Sequence, residues 1–264
     1  MGAGTPTRPR LRVALTLVAG LTVLALGGVV ACGAGTDPGA AGSAAPATTV
    51  TAPPTSAPTT TVAPTTTTTT PAAGGPSEPT RPGDAGPQVD ALQVRLYGLG
   101  YFLPAFSGTY DDATAHAVMA FQKQHGLDRD GVAGPATVAA LATAAKVAPT
   151  QGTDHHLEVS LADQVLVAVD GNGGAVAIDA TTGKASTPTP PGSFSIFRQV
   201  NAWDPGPNGS LYRPKYFNQG IAVHGGPPVI ADPASHGCVR VPDPAIDWLW
   251  SSDLAPIGTS VIVY

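Results

Sequence analysis

Residues 157–169, LEVSLADQVLVAV, decide the fold of the C-terminal part of the chain. Its first five positions alternate apolar and polar side chains, which is the period of a half-buried β-strand. Asp163 and Gln164 then turn the chain into the apolar run 165–169, and residues 170–174, DGNGG, are a strong turn signal. The stretch therefore predicts two consecutive strands, with a further strand after the second turn.

Short strands continue to the end of the chain. Similar patterns recur between glycine- and proline-rich turns at residues 175–179, 194–200, 221–223 and 259–264. Residues 245–251 have a helical pattern instead. Many short strands separated by such turns predict a mainly β domain over residues 154–264, a mainly antiparallel sandwich or open barrel.

Composition excludes several classes of protein. The chain has 264 residues with 32 glycines and 28 prolines, and only 12% of the residues are charged. The net charge of −5 offers no basic excess for non-specific binding of nucleic acid. Two cysteines are too few for a disulfide scaffold or a four-cysteine zinc site. A polytopic membrane protein is also excluded, because one segment alone could span a bilayer.

The first 32 residues have the layout of an export signal. Three arginines within residues 8–12 precede an uncharged, mostly apolar run over residues 13–30. Residues 29–32, Val-Val-Ala-Cys, resemble the lipobox of bacterial lipoproteins, which implies lipidation of Cys32 and a membrane anchor. An uncleaved signal anchor is the alternative. Both interpretations place the rest of the chain outside the cytoplasmic membrane.

A linker and a helical segment follow. Residues 33–83 are rich in threonine, proline and alanine, and we expect them to be disordered because they cannot bury a core. Over residues 84–147, apolar residues recur at helical spacing in three segments. Asp111 and Asp112 are candidate N-caps of the second helix, and Pro135 suits the first turn of the third. A small all-α, three-helix domain is therefore predicted.

This helical segment resembles the three-helix peptidoglycan-binding domain of many wall hydrolases and transpeptidases. The matching residues are Val89-x-x-Leu92-Gln93-x-x-Leu96, Gly100-Tyr101, Gly108-x-Tyr110, Ala120-Phe121-Gln122 and Asp130-Gly131-x-x-Gly134-Pro135-x-Thr137. The resemblance implies a domain that docks on peptidoglycan. We expect Tyr101, Tyr110 and Gln122 to be exposed and to carry that binding.

The segment 235–240, Ser-His-Gly-Cys-Val-Arg, is where we expect the chemistry. If Cys32 is lipidated, Cys238 is a free thiol in an exported protein. It becomes a nucleophile when a nearby imidazole, a positive charge or backbone donors favour the thiolate, and His224, His236 and Arg240 are close in sequence. A buried, inert cysteine is the alternative. The glycine before Cys238 and its polar, cationic surroundings argue against that alternative.

These residues, with His224-Gly225 upstream, resemble the catalytic domain of YkuD-type L,D-transpeptidases, and the resemblance spans residues 154–264. It implies that Cys238 is the nucleophile, that His224 is its base and that the Gly225 carbonyl orients the imidazole. Backbone amides would line the oxyanion hole, at His236, Gly237 and Cys238 in the motif that begins with Ser235. Arg240 either positions the substrate or the loop, or forms a structural salt bridge.

The resemblance implies an exported, membrane-tethered enzyme of the cell wall. Its thioester would form at the third residue of a tetrapeptide stem. The amine of a second stem would resolve it into a 3→3 cross-link, or water would resolve it in a carboxypeptidase reaction. Carbapenem-type β-lactams should acylate Cys238. The alternatives are a non-catalytic wall-binding lipoprotein and another cysteine acyltransferase such as a sortase.

Two segments around this motif carry further expectations. We expect residues 200–220 to form a loop that covers Cys238, with Tyr216 as a substrate contact, unless its aromatic residues pack beneath the loop. Only ten residues separate His224 from Ser235, so the loop between them should be short. No metal-ligand spacing links His224 with the pair 155–156, and we expect neither a metal nor a cofactor.

Overall fold

The computed structural model describes residues 76–264. The predicted export signal, Cys32 and residues 33–75 of the predicted linker lie outside the described residues. Residues 76–83, predicted to be disordered with them, instead pack on the helical segment, where Thr80 is buried and pairs with Ala133. Within residues 76–264, no helix is both long enough and apolar enough to cross a membrane.

Three helices form the N-terminal part of the described chain, as predicted. They are α1 (Pro87–Leu99), α2 (Asp112–Gln124) and α3 (Pro135–Thr143). The C-cap of α1 is Gly100 in a left-handed conformation, φ 93°, which glycine adopts without a steric penalty. The side chain of Asp111 caps α2 by accepting a hydrogen bond from the Thr114 N–H at 2.9 Å.

The helical domain, residues 84–147, buries two tyrosines and a glutamine in its core. Tyr101 and Tyr110 are each 2% exposed and Gln122 is 1% exposed, so the prediction that they form an exposed binding surface is wrong. The Tyr110 hydroxyl donates to the Gly131 carbonyl at 2.7 Å, and the Gln122 amide donates to Asp130 Oδ1 at 2.7 Å. In so small a domain the connecting loops lie over the core, and these side chains satisfy the polar groups of the loops while filling space.

Ten strands and one helix form the C-terminal β domain, residues 154–264. They are β1 (His156–Ser160), β2 (Val165–Val169), β3 (Ala175–Asp179), β4 (Gly192–Ser195), β5 (Arg198–Gln199), β6 (Trp203–Gly206), β7 (Gly209–Asn218), β8 (Ile221–Gly225), β9 (Val239–Arg240), α4 (Asp243–Ser251) and β10 (Ser260–Val263). One sheet has the order β3-β2-β1-β10-β4, and the other has the order β5-β7-β8-β9 with β6 paired to β7. The mainly β prediction is confirmed, with parallel pairing at β1–β10 and β8–β9.

The two sheets share a buried apolar core. Leu157 and Leu166 from the first sheet belong to the same buried cluster as Val223 and Val239 from the second, and Ile246 of α4 joins them. Packed sheets of this kind bury alternate residues of each strand between the layers. Strands β8 and β9 therefore pack on the core of the domain through Val223 and Val239.

The helical domain covers the outer face of the first sheet. Val165, Val167, Val169 and Ala177 are buried in the same cluster as the core of the three helices. All five residues of β1 are buried as well, so the half-buried strand predicted there is buried on both faces. On β1, His156 pairs with Glu158 at 2.9 Å, and both side chains are buried.

Residues 200–220 contain regular structure rather than a long loop. They include β6 and all of β7, which pair as an antiparallel hairpin with Trp203 opposite Tyr212. Phe217 is 3% exposed and belongs to the buried cluster between the sheets, whereas Trp203 is 55% exposed. The segment is therefore a hairpin and not the irregular loop that was predicted, and one of its faces contributes to the core. The predicted covering of Cys238 by this segment stays a prediction.

The core of the helical domain makes a first testable prediction. Leu92 is fully buried in α1, so Leu92→Ala should leave a cavity and lower the free energy of unfolding by about 2–5 kcal/mol. Val94 lies on the same helix and is 60% exposed, so Val94→Ala should change that free energy by no more than about 0.5 kcal/mol. Urea denaturation of the two variants measures both values. Equal effects would contradict the assigned packing face of α1.

Candidate active site

The pairing of β8 with β9 brings together residues that lie far apart in the chain. The two strands are parallel, with Val223 opposite Val239 and His224 opposite Arg240. Side chains two positions apart along a strand share a face, so Cys238, just before β9, lies on the same face as Arg240 and His224. Residues 226–238 connect the two strands, and we call this segment the active-site loop.

His224 is held in one orientation by its neighbour in the chain. Its side chain is 1% exposed, and Nδ1 lies 2.7 Å from the Gly225 carbonyl oxygen. A carbonyl accepts hydrogen bonds and cannot donate them, so Nδ1 carries the hydrogen and Nε2 is the nitrogen that can take up a proton. Burial lowers the pKa of His224 to about 4, the Gly225 carbonyl opposes that shift, and the Arg240 charge adds to it.

Gly225 is a glycine because helix α4 packs directly against it. A Cβ at this position would collide with Asp243 Oδ1, with Ile246 and with the Tyr212 ring. The same Asp243 oxygen accepts a hydrogen bond from the Gly226 N–H at 2.6 Å. The close approach of α4 therefore fixes the peptide whose carbonyl orients His224.

Cys238 is partly exposed, so it is not the sealed thiol of the alternative interpretation. Its Sγ lies 3.8 Å from the Gly220 carbonyl oxygen. Burial raises the pKa of the Cys238 thiol, and the Ala222 N–H and the Arg240 charge both act against that rise. At neutral pH the resting pair is therefore a protonated thiol and a neutral imidazole, and the proton has to move during the reaction.

Ser235 and two threonines hold the backbone around the thiol. The buried Ser235 hydroxyl donates to the Cys238 carbonyl at 2.6 Å and accepts from the Gly237 N–H at 3.1 Å. Thr189 donates to the Gly237 carbonyl at 2.8 Å, and Thr187 donates to the Ser235 carbonyl at 3.0 Å. The two threonines lie before β4 and were not among the predicted site residues.

The Ser235 contact changes the expected set of oxyanion donors. The Gly237 N–H is already taken up by Ser235, which leaves the amides of His236 and Cys238. Neither of these two amides donates a hydrogen bond to another group in residues 76–264. Free N–H groups next to a nucleophile can stabilise a developing oxyanion, so the amides of His236 and Cys238 are the candidate donors.

The remaining predicted residues lie in different settings. His236 is exposed, with Nε2 3.5 Å from Lys184 Nζ at the rim of the site. Arg240 is partly exposed and forms no ion pair within the described chain, so no structural salt bridge is found for it there. Arg240 lies opposite His224 in the strand pairing, and its positive charge acts to lower the pKa of both His224 and the Cys238 thiol.

Tyr216 faces other protein groups. The residue is 7% exposed, its hydroxyl donates to Asp204 Oδ2 at 2.8 Å, and the Arg198 guanidinium lies 4.5 Å from the ring centroid. The predicted contact between Tyr216 and substrate stays a prediction that these contacts do not support. Within residues 76–264, no three His, Cys, Asp or Glu side chains converge as metal ligands.

The buried imidazole makes stability depend on pH. The folded pKa of His224 is about 4 and the unfolded value is about 6.5, so between these values only the unfolded chain binds the proton. Lowering the pH from 7 to 4 should therefore cost up to about 3 kcal/mol of stability through this group. His224→Gln should remove that part of the pH dependence, whereas His125→Gln, at an exposed position, should retain it. Urea titrations at a series of pH values measure the difference; identical slopes for the two variants would contradict the burial of a neutral His224.

Two family models match the described chain. The model described as a putative peptidoglycan binding domain matches residues 85–141, and the model of the L,D-transpeptidase catalytic domain matches residues 154–263. Among curated proteins, a probable N-acetylmuramoyl-L-alanine amidase of Bacillus licheniformis is 44% identical over 64 residues, which are 24% of this chain and 18% of that protein. The amidase CwlM of Mycobacterium tuberculosis is 38% identical over 56 residues, 21% of this chain and 14% of that protein. The chain thus spans less than a fifth of these relatives.

A solved structure matches across both domains. The L,D-transpeptidase of Xylanimonas cellulosilytica, residues 123–326, is 42% identical with a TM-score of 0.66, and the match covers 71% of this chain and 98% of that one. An L,D-transpeptidase of Stackebrandtia nassauensis is 24% identical with a TM-score of 0.44, over 73% of this chain and 97% of that one. The motif around Cys238, the buried His224 and the extent of the first match agree, and this chain belongs to the L,D-transpeptidase family.

Proposed function

We propose that the protein is a peptidoglycan L,D-transpeptidase that forms 3→3 cross-links through a thioester on Cys238. The observation that carries the proposal is the placement of a partly exposed thiol on the same face as a buried imidazole whose Nδ1 is held by a backbone carbonyl. A nucleophile, a base and a third group that orients the base are the parts that acyl transfer requires. Family membership adds the substrate class, the stem peptides of peptidoglycan.

The first half of the reaction forms the thioester. As Sγ of Cys238 attacks the carbonyl between the third stem residue and the following D-alanine, Nε2 of His224 accepts the thiol proton. The oxygen of the tetrahedral intermediate takes up negative charge between the amides of His236 and Cys238. The carbon–nitrogen bond then breaks, the imidazolium donates its proton to the departing amine, and D-alanine leaves with an acyl-enzyme behind it.

The second half transfers the acyl group to an amine. The side-chain amine of another stem attacks the thioester carbonyl while Nε2 of His224 accepts its proton. The carbon–sulfur bond breaks and the proton returns to Sγ, which restores the resting thiol. Water in place of the amine gives a carboxypeptidase product, so access of the acceptor decides between the two outcomes.

Arg240 has a defined electrostatic part in this scheme. A nearby positive charge favours the thiolate and the oxyanion, but it disfavours the imidazolium that must form beside them. Its net benefit therefore comes from the anionic groups of the transition state and from the carboxylates of the stem. We assign Arg240 to that stabilisation rather than to the activation of His224.

The rest of the chain would bring this site to its substrate. The match of residues 85–141 to a peptidoglycan-binding family supports docking of the helical domain on the wall. The sequence of residues 29–32 supports export and lipidation of Cys32, with anchoring to the outer face of the cytoplasmic membrane. An anchored enzyme of this kind works within reach of its tether, in the cell wall.

Replacement of the nucleophile is the direct test of the function. Incubated with a disaccharide tetrapeptide, the protein should release D-alanine and form a cross-linked dimer, read by mass spectrometry. Cys238→Ala should lower both products by at least about 10³-fold, because the acyl-enzyme cannot form. His125→Gln, a histidine change outside the site, should leave both unchanged. Retention of activity in Cys238→Ala would overturn the proposal, and hydrolysis without dimer would identify a carboxypeptidase.

Carbapenems provide a second test that needs no peptidoglycan. Their strained carbonyl is open to the same attack, so the protein should gain the mass of one carbapenem, and peptide mapping should place it on Cys238. Cys238→Ala should gain no mass under the same conditions. A folded protein that forms no adduct would favour the non-catalytic wall-binding interpretation.

A further inference from the structure

A lysine of the helical domain ends inside the β domain. Lys123 lies in the last turn of α2, and its side chain is 0% exposed. Its ammonium group has four oxygen neighbours: Asp179 Oδ1 at 2.6 Å and the carbonyls of Ala180 at 2.8 Å, Ile230 at 3.1 Å and Gln164 at 3.3 Å. All four belong to the β domain.

The setting of this ammonium makes it a rigid link. A buried charge is costly unless it is paired and hydrogen-bonded, and three N–H groups here face a carboxylate and three carbonyls. The second oxygen of Asp179 is 2.7 Å from Nδ1 of His116, another residue of α2. Movement of α2 away from the sheet would break several of these contacts at once.

One of the four oxygens belongs to the active-site loop. Ile230 lies near the middle of residues 226–238, the segment that joins His224 to Cys238. Besides Lys123, Thr181 binds the same residue twice: its hydroxyl donates to the Ile230 carbonyl at 2.9 Å and accepts from the Ile230 N–H at 2.7 Å. Arg129 of the helical domain is 3.4 Å from the next carbonyl, that of Ala231. The middle of the loop is therefore fixed from both domains.

A second set of bonds continues from the lysine to the thiol. Gln164, whose carbonyl faces Lys123, donates to the Thr182 hydroxyl at 2.6 Å and accepts from the Thr182 N–H at 2.8 Å. The Thr182 carbonyl accepts the N–H groups of Ala234 and Ser235 at 3.0 and 2.9 Å. Ser235 in turn donates to the Cys238 carbonyl. Lys123 thus holds Ala180, which precedes Thr181, and Gln164, which binds Thr182.

We propose that Lys123 is a positioning residue for catalysis, which fixes the active-site loop and through it the backbone around Cys238. The proposal rests on the proposed function of Cys238, and it makes the helical domain a structural part of the catalytic unit in addition to any binding of the wall. A displacement on the order of 1 Å at a reacting group can cost about 10²-fold in rate, so a distant support of this kind has a measurable effect.

The test compares Lys123→Met with the pair Lys123→Met/Asp179→Asn. The single variant leaves the Asp179 carboxylate buried without the ammonium, whereas the double variant removes both charges and so protects the fold. Arg95→Met is the matched control, because Arg95 donates only to the Leu141 and Ala144 carbonyls of its own domain within the described structure. Lys123→Arg keeps a cation and its donors at the same position.

Three measurements on the folded proteins separate positioning from stability. Steady-state kinetics should show kcat about 10- to 100-fold lower in the double variant with KM within roughly twofold of the parent value. Hydrogen exchange should speed up at the amides of Ile230, Ala234, Ser235 and Gly237. Alkylation of Cys238 by iodoacetamide, followed by peptide mapping over a pH series, should show an altered pH profile.

The outcomes differ clearly. Arg95→Met should lower stability with kcat and loop exchange unchanged, and Lys123→Arg should recover part of kcat. A folded double variant with parental kcat, loop exchange and alkylation would overturn the role of Lys123. Failure of the proposed function would appear differently, as a parent protein that neither cross-links stems nor takes up a carbapenem. In that case exchange and alkylation still decide whether Lys123 positions the loop.

Discussion

The parallel pairing of β8 with β9 is the constraint on which the active site depends. It sets His224 opposite Arg240 and brings Cys238 to the same face, although the base and the nucleophile are separated by a loop. A slip of one residue in this register would send one of the two side chains to the opposite face of the sheet. Val223 and Val239, buried between the sheets, oppose such a slip because it would expose an apolar side chain.

Burial in this sheet disfavours the charged forms of the reacting groups until substrate is bound. Burial disfavours the charged form of both reacting groups, so it lowers the pKa of His224 and raises the pKa of Cys238. A preformed thiolate–imidazolium pair is therefore disfavoured in the resting protein. The proton moves when an acyl carbonyl is in place and the amides of His236 and Cys238 can bind the new negative charge. The thiol is therefore weakly reactive on its own and becomes a strong nucleophile only when a substrate carbonyl is bound.

Much of the fold could be predicted from local sequence pattern. The three helices and most strands appear where apolar periodicity and turn residues place them, and the motif around Cys238 identified the family.

Burial was harder to predict. Tyr101, Tyr110 and Gln122 look like surface residues, yet the small domain uses them inside. Trp203 and its neighbours contain proline and glycine typical of a loop, but their pairing with β7 makes a hairpin. Lys123 could not be predicted as buried, because lysine is almost never buried without a partner and its partner lies 56 residues further along the chain.

The double burial of the first sheet has a consequence for how the protein can be divided. Val165, Val167, Val169 and Ala177 are covered by the three helices, and a fragment that begins at residue 154 would leave this aliphatic strip bare to water. Contiguous patches of that kind promote self-association. Poor behaviour of an excised transferase fragment would then report the loss of its covering and say nothing about chemistry. The helical domain and the β domain are separate in sequence, but they share a buried core and are not separable folding units.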